Sequence, residues 1–387
     1  MQFVMKSEDL SRALDEFRRC GIDGMLRVEL RDGMVILDGV SGGYRNCGSG
    51  CDAAARHLRV RVKPEKSWED GAFLCNRTAL RPEAGFLCVI YDAFGLSVNG
   101  GHGISSEPCD GVTRAWEPHT DALLDGSPRR VIEQADCKAI AWAMRAMSDE
   151  PEKPDNVFDR VFDRVCLRGD VAEATEGHML ARGMLSSFVD GIMLLPRDMA
   201  DMASRHVGEL RFAVDAGTEW TRFDSRDGML TYTTARQKCD RPWPDFSRVI
   251  PIGEPRVTIH VPHLLERIRE AMGSIDALGC EKTCYIRMSC PKKERQLRIT
   301  AIEMVRPMKP PFDNLERSGR EAHSYAMLDD PSGVDALSGF GVTVNACFLL
   351  PLLDGFPDSA SMSLPSTAGP LVFDDGAHLV LVMPIDF

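Results

Sequence analysis

A short strand followed by an amphipathic helix recurs three times along this chain of 387 residues, at intervals of about a third of its length. Apolar residues spaced at i, i+3, i+4 and i+7 indicate each helix, because that spacing places them on one face. Repeats of such length indicate duplicated domains, although strand–helix pairs are also common in unrelated folds. The apolar stripes are Leu10, Ala13, Leu14 and Phe17; Ala135, Ala139, Trp142 and Ala146; and Leu264, Leu265, Ile268, Ala271 and Met272.

The helix ends carry recognisable signals. We expect Ser7 to cap the first helix, since a serine hydroxyl accepts a hydrogen bond from a free backbone N–H. Second helices are predicted over 196–207, with Pro196 as its first residue, and over 345–354, with Asn345 as its cap. Pro351 must bend or shorten the last of these.

Strand-like runs outnumber the helices and follow one another directly. Consecutive strands lack the helix that a parallel crossover needs, so the pattern predicts an α+β fold with antiparallel sheets. Besides the strands that open each repeat, near 2–5, 130–133 and 256–261, the runs lie at 210–214, 228–232, 284–288 and 297–301.

Turn-rich stretches near 125–128 and 251–255 indicate linkers and divide the chain into three domains, 1–126, 127–253 and 254–387. Residues 306–340 carry four prolines and many charges, and we expect a long loop there. Residues 41–112 give no assignable pattern.

Composition narrows the class of protein. The first nine residues have no long apolar core, so they are not a signal peptide, and the apolar runs 342–353 and 378–385 are too short to span a bilayer. We therefore expect a cytoplasmic protein without membrane contact. A net charge of −12 argues against an evenly basic nucleic-acid binder, yet a ring with an acidic outside and a basic bore has the same average.

Nothing in the sequence indicates catalysis. The 13 cysteines are expected to be reduced thiols, because neither Cys47 and Cys51 nor the group Cys280, Cys284 and Cys290 has the matching second pair of a zinc site. No phosphate-binding loop and no H-E-x-x-H motif occurs. We predict no enzyme activity, metal or cofactor; a Cys–His pair is the open alternative.

Three separated segments resemble motifs of one family. They read A-T-E-G-H-M-L-A over 174–181, W-P-D-F-S-R-V-I-P over 243–251 and L-V-M-P-I-D-F over 381–387. In this order they are similar to segments of the bacterial DNA sliding clamp, the β subunit of DNA polymerase III. The resemblance extends from about Val131 to Phe387, while the first third is diverged after its opening strand and helix.

The resemblance implies three similar domains, each of two βαβββ halves, with helices on an inner wall and antiparallel sheets on an outer wall. Two subunits would close head to tail around duplex DNA as a processivity factor in DNA replication. DNA polymerase, clamp loader and repair proteins would dock short peptides between the second and third domains. The pocket residues that the resemblance implies are Phe162, Thr175, Gly177, His178, Met179, Leu180, Pro244, Arg248, Val249, Asn345, Phe348, Val382, Met383, Pro384 and Ile385.

The motifs depart from the family pattern at three positions. Met179 stands where the family usually has Arg, Asp386 where it has a basic residue, and Phe387 where it has Leu. We therefore expect a pocket rim that is less positive, and a preference for basic or less acidic peptides.

The same resemblance implies which residues face DNA and which join subunits. Basic side chains on the inner helices would attract phosphates without reading bases, and Met272 and Ile275 would lie at the subunit interface. The acidic neighbours Asp15, Glu16, Glu266 and Glu270 weaken this field, so a docking scaffold that does not stably encircle DNA is the alternative function. The expected DNA-facing residues are Arg12, Arg18, Arg19, Lys138, Arg145, Arg197, Arg205, Arg267 and Arg269.

Overall fold

The chain forms two compact units, one made of residues 1–134 and 206–240 and the other of 135–205 and 241–387. The structure is a computed structural model of the full chain. It describes residues 1–40, 56–81, 85–99, 101–104, 106–108, 129–147, 162–206, 208–214, 220–235, 243–251, 256–275, 284–290, 296–305, 316–327, 339–363 and 369–385.

Within its described residues, the first unit contains one α-helix, α1 (Ser7–Arg19), and a short 3-10 turn at Arg77–Leu80. Labels follow chain order through both units. Its strands are β1 (Gln2–Lys6), β2 (Met25–Arg31), β3 (Met34–Val40), β4 (Arg56–Val62), β5 (Lys66–Ser67), β6 (Gly71–Asn76), β7 (Phe86–Asp92), β8 (Gly95–Val98), β9 (Gly101–Ile104), β10 (Ser106–Pro108), β11 (Arg129–Ile132), β14 (Leu210–Val214), β15 (Trp220–Ser225) and β16 (Leu230–Ala235).

These strands make two sheets. Sheet A has the order β5-β1-β7-β8-β9, and sheet B has the order β10-β6-β2-β3-β4-β16-β15-β14-β11. Helix α1 buries Leu10, Ala13 and Phe17 as its spacing predicts. Phe17 packs so closely on β3 that a Cβ at Gly39 would lie 2.7 Å from its ring, so only glycine fits there.

The described part of the second unit contains four α-helices, which are α2 (Gln134–Ala143, whose first residue belongs to the first unit), α3 (Arg197–Arg205), α4 (Val261–Gly273) and α5 (Ala346–Leu353). Its strands are β12 (Arg164–Thr175), β13 (Met179–Pro196), β17 (Arg256–His260), β18 (Cys284–Ser289), β19 (Gln296–Val305), β20 (Glu316–Met327), β21 (Gly341–Asn345), β22 (Ser359–Ser363), β23 (Leu371–Asp374) and β24 (His378–Val382).

Sheet C has the order β12-β13-β24-β23-β22-β17, and sheet D has the order β20-β19-β18-β21. One core joins the inner faces of both sheets to α4, α5 and Trp142 of α2, and it includes every predicted stripe residue of α4. The predicted α+β class with antiparallel sheets is confirmed, because each strand pair among the described residues is antiparallel.

Several local expectations need correction. Helix α1 begins at Ser7 itself, and Lys6 occupies the cap position without a side-chain bond. Pro196 ends β13 instead of opening α3. Ala135 is exposed, while Cys137 and Ile140 are buried in its place. Part of the predicted 306–340 loop, residues 316–327, is strand β20, because its backbone pairs with β19.

The predicted division into three domains stays a prediction. Sheet B joins β4 to β16, and sheet C joins β13 to β24, so each sheet contains strands from two of the predicted thirds. Such continuous sheets leave fewer strand edges open to unwanted pairing.

Candidate functional site

Sheet C carries an apolar cluster on the face opposite its main core. In the antiparallel pair β13–β24, Leu180 lies opposite Leu381 and Met179 lies opposite Val382. Because side chains alternate between faces, the first pair points away from the core and the second pair points into it. The apolar cluster consists of buried Leu180, Val372 and Leu381 with partly buried Phe246, Ile250, Leu379 and Met383.

The first motif forms a tight turn beside this cluster. The Thr175 hydroxyl donates to the Met179 carbonyl at 2.6 Å and accepts from the Gly177 amide at 3.0 Å. Gly177 has a φ of +100°, a conformation that side-chain-bearing residues rarely adopt. The turn therefore presents His178 to solvent, where its ring stacks on Phe348 with centroids 5.3 Å apart.

Glu176 holds this histidine in place. Its carboxylate accepts a hydrogen bond from the His178 amide at 2.9 Å and lies 3.5 Å from the ring nitrogen Nδ1. Burial raises the pKa of Glu176, against the opposing effect of the bonds to His178. The exposed ring of His178 can donate a hydrogen bond at the edge of the apolar cluster.

A buried ion group fixes the second motif to sheet C. The indole nitrogen of Trp243 donates to Glu173 at 2.7 Å, and that fully buried carboxylate also contacts Arg168 at 2.8 Å and Arg182 at 2.7 Å. Trp243 in turn meets the ring of Phe246 edge-on, with centroids 6.0 Å apart. This arrangement places Phe246 and Ile250 over the apolar cluster.

Beyond Phe246 the motif turns outward. Asp245 caps the 3-10 turn Phe246–Arg248 by accepting from the Ser247 amide. Arg248 is 86% exposed at its side chain and lies 3.7 Å from Asp245. The guanidinium is therefore available to a ligand at the edge of the apolar cluster.

The third motif joins sheets C and D. The Met383 amide donates to the His178 carbonyl at 2.8 Å, and the Ile385 amide donates to the Thr343 carbonyl at 2.8 Å. Ile385 packs against Tyr285, Ile302 and Met304 in a small separate cluster. The three motifs, far apart in sequence, thus meet on one face of sheet C. Asp386 and Phe387 lie outside the described residues.

Two of the predicted pocket residues lie on the core face of sheet C and not on the face that carries the apolar cluster. Met179 and Val382 belong to the main core, 7% and 0% exposed. Leu381 belongs to the apolar cluster, as do Phe246, Ile250 and Val372, and none of these four was assigned to the pocket from the sequence. The alternation of β24 would have identified Leu381 once its register against Leu180 was known.

The remaining predicted pocket residues differ in their burial and in their contacts. Asn345 is buried and caps α5 through the Cys347 amide at 2.9 Å. Phe162 lies near Gly177, where an added Cβ would come within 3.6 Å of its ring. Val249 is 40% exposed, and Pro244 and Pro384 are half-buried.

Most of the residues expected to face DNA are paired with carboxylates. The pairs are Arg12 with Asp9 (3.9 Å), Arg18 with Asp15 (3.1 Å), Arg19 with Glu16 (3.1 Å), Arg197 with Asp163 (2.7 Å), Arg205 with Asp201, Arg267 with Glu266 (3.0 Å) and Glu270 (2.6 Å), and Arg269 with Asp354 (2.8 Å). The five α-helices together hold eight Arg and Lys residues against nine Asp and Glu residues, a net charge of −1.

The side chain of Arg145 contacts an aromatic ring and a backbone carbonyl. Its guanidinium lies 5.1 Å from the centre of the Trp142 ring and donates to the Pro351 carbonyl at 3.1 Å. Gly355 leaves room for it, since a Cβ there would lie 2.2 Å from the guanidinium carbon. Lys138 is exposed on α2 and has no ion pair among the described residues.

The two expected interface residues lie in the core. Met272 is 0% exposed and Ile275 is 6% exposed within the single chain. A side chain without exposed surface cannot contact a second subunit, so Met272 has a core role, whereas the interface role of Ile275 stays a prediction.

The described residues form neither a metal site nor a membrane-spanning helix. No group of three His, Cys, Asp or Glu side chains among them is placed to hold a metal ion. In the same residues, no helix has the length and apolar content to cross a membrane.

Known structures of one kind match the whole chain. No protein-family model and no curated protein sequence matches it. The beta subunit of DNA polymerase III from Thermotoga maritima is 14% identical, with a TM-score of 0.70 over 100% of this chain and 99% of that one. The Pseudomonas aeruginosa sliding clamp is 18% identical, with a TM-score of 0.68 over 100% of both chains.

A third match is the Helicobacter pylori beta clamp bound to a DNA ligase peptide, 14% identical with a TM-score of 0.68 over 100% of both chains. At such identities the likeness establishes the fold. From its first residue to its last, the chain has the fold of the bacterial DNA sliding clamp, the β subunit of DNA polymerase III.

Proposed function

We propose that this protein is a DNA sliding clamp, a non-catalytic processivity factor of the cytoplasm. Two copies encircle duplex DNA, and each tethers DNA polymerase, clamp loader and repair proteins through short peptides bound at the apolar cluster. The observation that carries the proposal is the meeting of the three motif segments around Leu180 and Leu381. The Helicobacter pylori clamp with a similar fold binds a DNA ligase peptide.

The chemistry of the cluster suits a peptide with apolar anchors. Its buried centre offers an aliphatic surface for a Leu or Phe side chain, and removing such side chains from water drives binding. Around this centre, His178 and Arg248 are exposed donors for peptide carbonyl groups. Apolar anchors with a few polar contacts are typical of linear-peptide recognition.

The sheet edges support closure of a ring. Sheet B continues from β4 to β16, and sheet C continues from β13 to β24. Each sheet therefore crosses a boundary between two of the predicted domains. Among the described residues each of the four sheets ends in two edge strands, and β9 of sheet A and β20 of sheet D are two of these eight. Pairing of an edge strand of one copy, such as β20, with an edge strand of a second copy, such as β9, would let two chains close head to tail.

The helix charges favour a second candidate function. A bore lined by helices with a net charge of −1 attracts phosphate weakly, since affinity for DNA comes from neutralising phosphates with free cations. Weak attraction for phosphate is what we expect of a docking scaffold that binds partner peptides without stably encircling DNA. It is also compatible with a closed ring that stays on DNA only because it encircles the duplex. Ring closure therefore distinguishes the two functions.

One experiment separates these functions. Light scattering gives the mass in solution, and retention on nicked circular DNA is compared with retention on linear DNA of the same sequence. The clamp predicts a dimer that stays on circles and slides off linear ends. A peptide-binding monomer without preference for circles indicates the scaffold, and a chain that binds neither DNA nor a Gln-Leu-Ser-Leu-Phe peptide contradicts both.

A further inference from the structure

A polar groove lies on the same face of sheet C as the apolar cluster. Its volume is about 400 Å³, and its floor is made by the small side chains of β17 and β22. Arg256 stands on one side, and the turn that follows β23 stands on the other. The lining residues are Arg256, Thr258, Ser359, Ala360, Ser361, Asp374, Asp375 and Gly376.

The strand register makes the groove continuous with the apolar cluster. Val372 lies opposite Leu381, and two residues further along β23, Asp374 lies opposite Leu379 on one side and Ser361 on the other. Alternate residues of a strand are roughly 7 Å apart, and neighbouring strands are roughly 5 Å apart. A peptide anchored at Leu381 therefore reaches the groove within about two or three residues.

The groove carries an excess of negative charge. Asp374 contacts Arg256 at 2.9 Å, and its other oxygen accepts from the Gly376 amide at 2.8 Å. Asp375 accepts from the Ala377 and His378 amides and lies 3.0 Å from the His378 ring. A carboxylate has about four acceptor positions, so both can accept a further donor.

The floor of the groove has an unsatisfied polar atom. The Ser361 hydroxyl has no hydrogen-bond partner within the described part of the chain. A buried hydroxyl without a partner costs free energy, which a ligand donor would recover. Two carboxylates and an unpaired hydroxyl give the groove more acceptors than its one cation, Arg256, can satisfy, so the groove suits a cationic donor better than an anion.

We propose that this groove binds a lysine or arginine side chain that flanks the apolar anchor of a docked peptide. The inference rests on the proposed peptide-docking function and extends it to the class of partner: segments with a basic flank bind more tightly than segments with an acidic one. Asp374 and Asp375 produce the preference for a basic flank. Arg256 weakens this preference, because its guanidinium competes with the peptide cation for Asp374.

The test uses three labelled peptides, Gln-Leu-Ser-Leu-Phe flanked at both ends by two lysines, two serines or two glutamates, titrated against the full-length protein by fluorescence anisotropy. Asp374→Asn keeps the oxygen that accepts from Gly376 and removes the charge. Arg256→Gln removes the competing cation. Asp170→Asn, exposed on β12, is the matched control for a change in net charge.

The lysine-flanked peptide is expected to bind about two- to fivefold more tightly than the serine-flanked one, the range of an exposed ion pair. Asp374→Asn should remove that preference, Arg256→Gln should increase it, and Asp170→Asn should leave it unchanged. Tight but equal binding of all three peptides overturns the groove and leaves the docking function standing. Equal loss of the preference in Asp170→Asn also overturns the groove, because the effect would then be general charge. Binding of none of the peptides overturns both proposals.

Discussion

The indole nitrogen of Trp243 lies 2.7 Å from the carboxylate of Glu173, which has no exposed surface and also contacts Arg168 and Arg182. This hydrogen bond connects the segment that carries Phe246 and Ile250 to strand β12 of sheet C. A hydrogen bond to a charged, buried group is worth about 1.5–3 kcal/mol, so the cover of the candidate pocket depends on it.

Replacing Trp243 with Phe tests that dependence. The variant keeps an aromatic ring against Phe246 and loses the donor to Glu173, so we expect the free energy of unfolding to fall by about 1.5–3 kcal/mol. Peptide affinity should fall as well, since Phe246 and Ile250 are less firmly held. Urea unfolding and peptide titration measure the two effects. Unchanged stability would show that Arg168 and Arg182 alone satisfy the carboxylate.

Met383→Ala tests the apolar cluster itself. Met383 packs on the apolar cluster, and loss of an anchor contact of this kind costs about 2 kcal/mol, roughly thirtyfold in affinity. The matched control is Met184→Ala, a methionine on β13 that is 42% exposed and outside the apolar cluster. Equal effects of the two substitutions on binding of Gln-Leu-Ser-Leu-Phe would place the pocket elsewhere.

The sequence predicted the three meeting motifs but not the face on which their side chains lie. Strand β24 reads as an unbroken apolar run, so alternation alone gives no way to choose between Leu381 and Val382. The register against β13 decides, and it pairs residues about two hundred positions apart. The ion pairs of the Arg residues on the helices could not be predicted from the sequence either. The spacing of residues identifies which helix face a side chain lies on, but not which carboxylate it contacts.

Releasing the paired arginines of α1 should strengthen DNA retention. Asp15 and Glu16 contact Arg18 and Arg19 at 3.1 Å each. In the double variant Asp15→Asn, Glu16→Gln the two cations become available to phosphate, so the slope of log affinity against log salt should steepen by about two. Retention on nicked circles across a salt series measures it. The control Asp32→Asn changes an exposed turn between β2 and β3, and a slope as steep there would implicate net charge alone.

Arg145 and Lys138 should separate stability from DNA binding. Arg145→Ala loses the contact with the Trp142 ring and the bond to Pro351, worth about 1–2 kcal/mol together, and we expect DNA retention to stay the same. Lys138→Ala, on the exposed side of α2, should weaken retention and leave stability unchanged. Thermal unfolding and circle retention of both variants decide between these roles, and exchanged outcomes would reverse the assignment.

A buried ion group in sheet B predicts how stability depends on pH. Burial alone would raise the pKa of Asp38, but hydrogen bonds and charge from His57 and Arg59, at 3.1 and 2.8 Å, lower it to about 2 from 3.8. Because the folded pKa lies below the unfolded one, the ion group stabilises the fold above pH 3.8 and loses that effect as the pH falls towards 2.

The size of this effect is about 2 kcal/mol at neutral pH. Urea unfolding of the parent and of Asp38→Asn, at neutral pH and at steps below pH 4, should show the parent losing stability over that window. The variant should have a flatter profile there, whereas the control Asp32→Asn should follow the parent. A parent profile identical to that of Asp38→Asn would mean that Asp38 does not carry the dependence.

The one-residue alternation along β13 and β24 also limits how this molecule can be re-engineered or can evolve. Leu180 and Leu381 would choose the partner, while their immediate neighbours Met179 and Val382 hold the interior together. A mutational library that varies consecutive positions of these strands would also change core residues, so most of its variants would fail to fold. A library restricted to the alternate positions that include 180 and 381 would leave the core unchanged and keep its variants folded. Because residues 180 and 381 lie opposite each other, we expect substitutions at these two positions to be correlated. Peptide specificity can then change while the neighbouring core positions 179 and 382 stay the same.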